Sequence, residues 1–398
     1  MKHAGRLDLT YCSNIHAGER WAEINAALSR TLPCVRERLA HEGPLAIGLR
    51  LSAAAARTLE AADVFDAFRA FLGEGNFYVP TINGFPYGAF HGTRVKERVY
   101  QPDWRDPERI DYSNRLARIL VALADGKAES LSISTVPGAF RAHVTAAADV
   151  DAMATNFLEH AAYLKRLLIE TGRTVTLAIE PEPACYIETV DEAIRFFREY
   201  LLDETRVAAV ARRTGMSLVA GDIRTHLGLC LDACHMAVEF EQPDRVFRDV
   251  EAAGMAIAKI QLSSALRLAA DSVTPPDRVF SPFADDTYLH QVVVSGGGSV
   301  TRYTDLPEAL DAFRRGDAPG GEWRVHFHVP IFLASMGGFD TTQAYLADIL
   351  QLVEQEQIAT CLEVETYTWD VLPPEYRTSD VCTAIARELA WVRERLTP

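Results

Sequence analysis

The stretch "VTLAIEPEP" (175–183) runs five apolar or β-branched residues into two glutamates, Glu180 and Glu182, each followed by a proline. Five such residues without polar alternation read as a short strand buried on both faces, and the prolines end it. A strand of this kind belongs to a parallel sheet with helices packed against it. Its two carboxylates then stand at its C-terminal end.

Working outward, seven more stretches have the same look: "LDLTYCSN" (7–14), "LAIGLRLS" (45–52), "NFYVPTIN" (76–83), "SLSISTVP" (130–137), "LGLCLDACH" (227–235), "IAKIQLSS" (257–264) and "TCLEVETYT" (360–368). Amphipathic stretches lie between them, with apolar residues three and four apart and Gly or Pro at their ends. Eight strands alternating with eight helices is the pattern of a (β/α)8 TIM barrel. A doubly wound open sheet is the alternative, but no Gly-rich phosphate loop follows any strand. The expectation is one barrel domain over 1–398.

Two segments interrupt the alternation. Residues 84–105 form a long loop after strand three, the expected active-site loop. Residues 263–323 form an insertion after strand seven, whose "YLHQVVVSGGGSVTRY" reads as a β-hairpin turned at "SGGG". Loops this long in a compact domain are usually functional. Beyond the insertion, "RVHFHVP" (324–330) reads as a strand, so His326 and His328 point one way and Phe327 the other.

The 398 residues carry a net charge of −15, which disfavours nucleic acid and anionic membranes as partners. Seven scattered cysteines without a zinc-ribbon spacing read as free thiols in a reducing compartment. With no apolar leader at the start and no run long enough to span a bilayer, a cytoplasmic location is expected.

In a TIM barrel the site lies at the C-terminal strand ends. Those ends carry Glu180 and Glu182 (strand five), Asp232 and His235 (six), Gln261, Ser263 and Ser264 (seven), and Glu363 or Glu365 (eight). Carboxylates forced together in one cleft repel unless a cation lies between them, so a metal is expected. The mixed nitrogen and oxygen donors suit Mn, Zn, Fe or Co, and Mg less well. Arg50 or Arg224 could instead neutralise the carboxylates structurally. Ser134 and Thr135 lack a nucleophile elbow and read as packing residues. From the loops, Asn83, Tyr87, His91 and Lys96, with His16 after strand one, are candidate substrate contacts.

"AIEPEP", "LDACH" and the closing glutamate together resemble the xylose isomerase-like superfamily of sugar isomerases, ketose epimerases and endonuclease IV relatives. The resemblance implies metal ligands Glu180, Asp232, Glu365, His328 and His326, with Glu180 and Glu365 also catalytic. It makes His235 a substrate contact or second ligand. Gln261 departs from it, standing where these families usually place a histidine, and is taken as a substrate contact. Three stretches, "YCSNIHAGERW" (11–21), "TINGFPYGAFHGTRVKERVYQPDWRDPER" (81–109) and "SISTVPGAF" (132–140), resemble EboE-type metabolite traffic proteins of ebo operons. The implied activity is a divalent-metal-dependent isomerase or epimerase acting on a small, polar, hydroxylated carbonyl metabolite. A non-catalytic metabolite-binding protein and an endonuclease IV-like phosphodiesterase are the alternatives; Gln261 favours the first of these, and the charge of −15 opposes the second.

Overall fold

The computed structural model describes residues 2–3, 7–128, 130–356, 358, 360–377 and 379–396. After a two-residue strand, Lys2–His3, which pairs antiparallel with the next, come seven parallel strands: β1 (Leu7–Tyr11), β2 (Leu45–Arg50), β3 (Phe77–Asn83), β4 (Ser132–Thr135), β5 (Thr176–Ile179), β6 (Leu227–Asp232) and β7 (Ile257–Leu262). The eighth barrel strand comes much later. Before it lie β8 (Leu266–Leu268), β9 (Val292–Gly296), β10 (Ser299–Tyr303), β11 (Glu322–Val325) and β12 (Asp340–Thr341); β13 (Thr360–Val364) then completes the barrel.

Pairing runs β1-β13-β7-β6-β5-β4-β3-β2, all parallel. A bridge between Cys12 and Gly48 joins the two ends, and the Arg50 amide donates to Ser13 Oγ at 2.7 Å. Almost every described residue of the barrel strands is buried, as strands covered by helices outside and side chains inside must be. Helices cross between the strands, from Trp21–Arg38 after β1 to Val381–Arg395 after β13.

The segment between β7 and β13 builds its own antiparallel sheet, in the order β10-β9-β11-β8-β12. Its hairpin turns at Gly297 and Gly298, whose φ values of 60° and 82° call for glycine. The strand expected over "RVHFHVP" stops at Val325. Beyond it the backbone stays tied, with the His326 amide donating to Gln291 O at 2.8 Å and the Val329 amide to Ser264 O at 2.9 Å. The expected alternation persists, because Phe327 packs on Phe283 and His290, away from the two imidazoles.

Inside the barrel, below the mouth, Lys259 of β7 forms a fully buried ion pair with Glu363 of β13. Gly48 makes room for it, since a Cβ there would lie 1.5 Å from Glu363 Oε1. Burial pushes the Lys259 ammonium down, but the Glu363 carboxylate outweighs this and holds its pKa above the ordinary value. A second buried acid, Glu388 on the last helix, accepts hydrogen bonds from Thr366 Oγ1 at 2.7 Å and the Ile331 amide at 3.2 Å. It thereby ties the segment after His328 to the segment after Glu365.

Lys259→Met leaves Glu363 uncompensated in a dry interior and is expected to cost about 3–5 kcal/mol of stability. Adding Glu363→Leu should recover most of it. Denaturant midpoints at constant slope measure both, and an unchanged midpoint for the single variant contradicts the pairing. Burial raises Glu388 to about 7 from its ordinary 4.5. The unfolded chain therefore ionises first as pH rises, and folding loses stability between those values. Glu388→Gln keeps both accepted hydrogen bonds and should stabilise at pH 8 by on the order of 3 kcal/mol. That gain should fade as the pH falls from 7 and vanish below 4.5; thermal melts across that range test it.

Candidate metal centre at the barrel mouth

Glu180, Asp232 and Glu365 end β5, β6 and β13 or follow them by one residue, and all three are buried. One carboxylate oxygen from each lies within 4.8 Å of the others. Asp232 also caps the helix Ala233–Val238, its Oδ1 accepting from the His235 amide at 3.0 Å and from Ser263 Oγ at 2.7 Å. Glu365 Oε1 accepts from Asn14 Nδ2 at 2.7 Å and Asn83 Nδ2 at 2.9 Å. Glu180 Oε2 and Asp232 Oδ2 have no hydrogen-bond partner among the described residues.

The arginine alternative fails on geometry. Arg50 is spent on Gly18 O, Glu19 and Gly88 O, and Arg224 on the carbonyls of Ala253 and Gly254. Burial, then repulsion from neighbouring carboxylates, pushes Glu180 and Glu365 well above the usual carboxyl range. Burial acts on Asp232 in the same sense, but His235, His328 and the two accepted hydrogen bonds outweigh it and hold this carboxyl below its ordinary value. Glu363, the same-face alternative to Glu365, is occupied with Lys259 one layer down.

Beside the carboxylates sit three imidazoles. His235 Nδ1 donates to Pro181 O at 3.0 Å and His328 Nδ1 to Glu365 O at 2.9 Å. His326 Nδ1 donates to Gln291 Oε1 at 2.6 Å. Gln291 is oriented in turn, its amide nitrogen facing Tyr100 Oη and Pro183 O at 3.0 Å each. Antiparallel pairing of Val292 with Val325 brings Gln291 across from His326. Each ring thus carries its proton on Nδ1 and turns Nε2 inward.

His326 Nε2 lies 3.1 Å from His235 Nε2 and 3.2 Å from His328 Nε2. Burial and the neighbouring rings depress His326 well below the usual histidine range, and burial drives His328 to about 4. Neutral His326 and His328 rings turn lone pairs toward one another, which is unfavourable without a cation between them. Oriented outer partners of this kind are how proteins fix histidine ligands.

Asp232 belongs to both groups, since it also forms a possible ligand triad with His235 and His328. Glu182 forms another with His235 and His326, and Cys234 a fourth with His326 and His328. Gln261, paired in register with Asp232 and Glu363, is buried with neither side-chain polar atom bonded among the described residues.

A cavity of about 510 Å³, open solvent at its mouth included, has Glu180, Glu182, His235, His326 and Glu365 in its wall. Among the residues singled out from the sequence, Asn83, Lys96, Glu180, Glu182, His235, His326 and Glu365 line it. The structure does not bring His16, Tyr87 or His91 to its wall. His16 bonds Tyr11 Oη at 3.2 Å, and His91 bonds Asn14 O at 2.7 Å, one step behind Glu365. Tyr87 donates to Glu108 and packs on Tyr112.

Sequence reasoning named Glu182 as a strand-end acid without giving it a role, and passed over Gln291 and Tyr367. The same-side spacing of Glu180 and Glu182 signalled the first. The other two depend on strand register and on the turn after β13, which carry no motif.

The sequence matches no known family profile and no curated protein. Among solved structures, the chain is similar to a xylose isomerase-like TIM barrel protein from Mycobacterium smegmatis in complex with magnesium. Identity is 12% and the TM-score 0.54, covering 100% of this chain and 99% of that one. It is also similar to the D-psicose 3-epimerase with D-tagatose from Clostridium cellulolyticum H10, at 10% identity and a TM-score of 0.50, covering 98% of this chain and 100% of that one. At such identities the likeness speaks for architecture alone. Eight parallel strands in a nearly closed barrel, with helices between them, give this chain the xylose isomerase-like TIM-barrel fold.

Proposed function

We propose that the chain is a divalent-metal-dependent enzyme of isomerase or epimerase type, acting on a small hydroxylated carbonyl metabolite. The observation that carries this reading is the convergence of unpaired Glu180 and Asp232 oxygens with three inward Nε2 atoms. The residues fit a cation on their own chemistry: hard carboxylates on one side, neutral imidazoles on the other. Glu180, Asp232 and Glu365 would hold one ion, and His235, His326 and His328, with Asp232 between, offer donors for another. The magnesium complex and the epimerase of similar fold support the reading.

A divalent ion held there would polarise the carbonyl of a bound substrate and acidify the adjacent C–H. The chain's own residues do the rest. Glu180, with a free oxygen beside the cavity, takes the proton from carbon, and Glu365, fixed by Asn14 and Asn83, returns one. Carboxyls raised by burial suit groups that must both hold and release a proton near neutral pH. The finer placement among EboE-type proteins of ebo-operon metabolite pathways rests on the three stretches quoted above. A charge of −15 argues against a nucleic-acid partner, and seven free thiols fit a reducing cytoplasm. No helix among the described residues is long and apolar enough to cross a membrane.

A second reading, metabolite binding without turnover, is favoured by Gln261, a neutral and weak donor at the end of β7.

After soaking with Mn, Zn or Co and dialysis, elemental analysis should find at least one ion per chain. Glu180→Gln and His328→Ala should each weaken retention by at least the ~10–100-fold that loss of an outer partner costs. A wild-type protein that keeps no ion, or variants that keep it fully, overturns the metal centre. In deuterium oxide, the loaded protein should wash deuterium into α-hydroxy ketones. Glu180→Gln should slow this by ~10²-fold or more. Metal retention without any exchange would favour the binding reading.

A further inference from the structure

The lining of the cavity is divided. Its floor is the acid and imidazole cluster, while its upper wall is built from Phe85, Phe90, Val99, Tyr288, Leu289 and Tyr367. Three of these rings come from separate segments: Phe90 from the long loop, Tyr288 from the insertion and Tyr367 from the turn after β13. Their centroids lie 5.1 Å (Phe90–Tyr288), 5.3 Å (Phe90–Tyr367) and 5.1 Å (Tyr288–Tyr367) apart, in tilted or edge-to-face contact. All but Tyr367 are buried against the loop and insertion, and Tyr367 also reaches the floor, its Oη lying 3.4 Å from His326 Nε2.

Charge gives the second, independent observation. Among the described lining residues, Lys96 is the one Lys or Arg, and it is committed. Its Nζ donates to Asp305 Oδ2 at 2.7 Å and to Asp285 O at 3.0 Å. The nearby arginines are committed as well: Arg109 holds the carbonyls of Gly84, Phe85 and Pro102, and Arg50 those of Gly18 and Gly88. Lys96, Arg50 and Arg109 therefore act as staples, and among the described residues that line the cavity no further Lys or Arg is offered to a phosphate or carboxylate. A free sugar would set part of its hydroxyl surface against Phe85, Phe90, Val99 and Leu289, leaving the Tyr288 and Tyr367 hydroxyls as the wall's hydrogen-bonding groups.

Resting on the small-molecule site proposed above, we propose that the substrate is uncharged and amphipathic: a hydroxylated carbonyl head joined to an aromatic ring. The head reaches the acid and imidazole floor. The ring packs against the Phe90–Tyr288–Tyr367 wall, where edge-to-face contact with flat partners rewards a flat ligand beyond the area it buries.

Calorimetric titration of the metal-loaded full chain tests this with four probes: phenacyl alcohol, cyclohexyl hydroxymethyl ketone, hydroxyacetone and dihydroxyacetone phosphate. Phenacyl alcohol should bind at least about tenfold more tightly than hydroxyacetone, from burial of the ring. It should exceed the cyclohexyl probe by about 3- to 10-fold, the worth of an aromatic contact. Phe90→Leu and Tyr288→Leu, checked for folding by near-ultraviolet circular dichroism and melting, should erase that second preference. Tightest binding of dihydroxyacetone phosphate, equal binding of the two ring probes, or an aromatic preference unchanged in both folded variants overturns the proposal. The same titrations on metal-stripped protein separate the two readings. Loss of the metal centre removes head-group affinity but leaves the ring preference, whereas failure of the present inference removes the preference with the metal in place.

Discussion

Lone pairs from three carboxylates and three imidazoles point into one small volume at the mouth of the barrel, and their mutual repulsion is the constraint around which the upper half of the molecule is organised. Five of the six groups are held from behind. Backbone carbonyls of Pro181 and Glu365 fix two rings, Gln291 fixes the third, two asparagines fix Glu365, and a helix cap with Ser263 fixes Asp232. Without such partners, rotamer changes would let the groups turn apart and relieve the repulsion. With them, the relief available is a cation or a proton, which is why the arrangement reads as a prepared site and not as an accident of packing.

The contrast with the layer below is instructive. Glu363 is as buried as Glu365 and lies on the same strand face two residues earlier, yet Lys259 balances it within the chain. The barrel thus has a charge-balanced interior layer beneath one whose carboxylates form no ion pair with Lys or Arg among the described residues. Gly48 allows the first by leaving space for the carboxylate, and the unbonded oxygens of Glu180 and Asp232 mark the second. Function is therefore concentrated where neutralisation stops.

Access to that unbalanced layer is controlled by two segments that have no place in the repeating strand–helix pattern. The long loop and the insertion hold each other through Lys96 and Asp305, and through the Val95 and Lys96 amides on Thr287 O. They contribute aromatic rings to the cavity roof; the insertion also supplies Gln291, and the chain running directly on from it supplies His326 and His328. One piece of chain thus provides part of the floor and part of the ceiling, which couples the position of the ligating groups to the shape of the chamber.

The sequence by itself settled the barrel, because eight short apolar runs alternating with amphipathic ones fit few other ways of burying both faces of a sheet. It also settled which strand ends carry acids, since position along a buried strand fixes the end of the barrel a residue reaches. It singled out His326 and His328 as a pair through the alternation of extended chain. Only the tertiary structure decided that His235 joins them, that Glu363 belongs to Lys259, and that His16, Tyr87 and His91 stand behind the cavity wall instead of on it. The chain's own pattern encodes which way a side chain leaves its strand, a local property. Which groups then meet depends on register between distant strands and on where a loop and an insertion come to rest, and those are settled by packing between segments hundreds of residues apart.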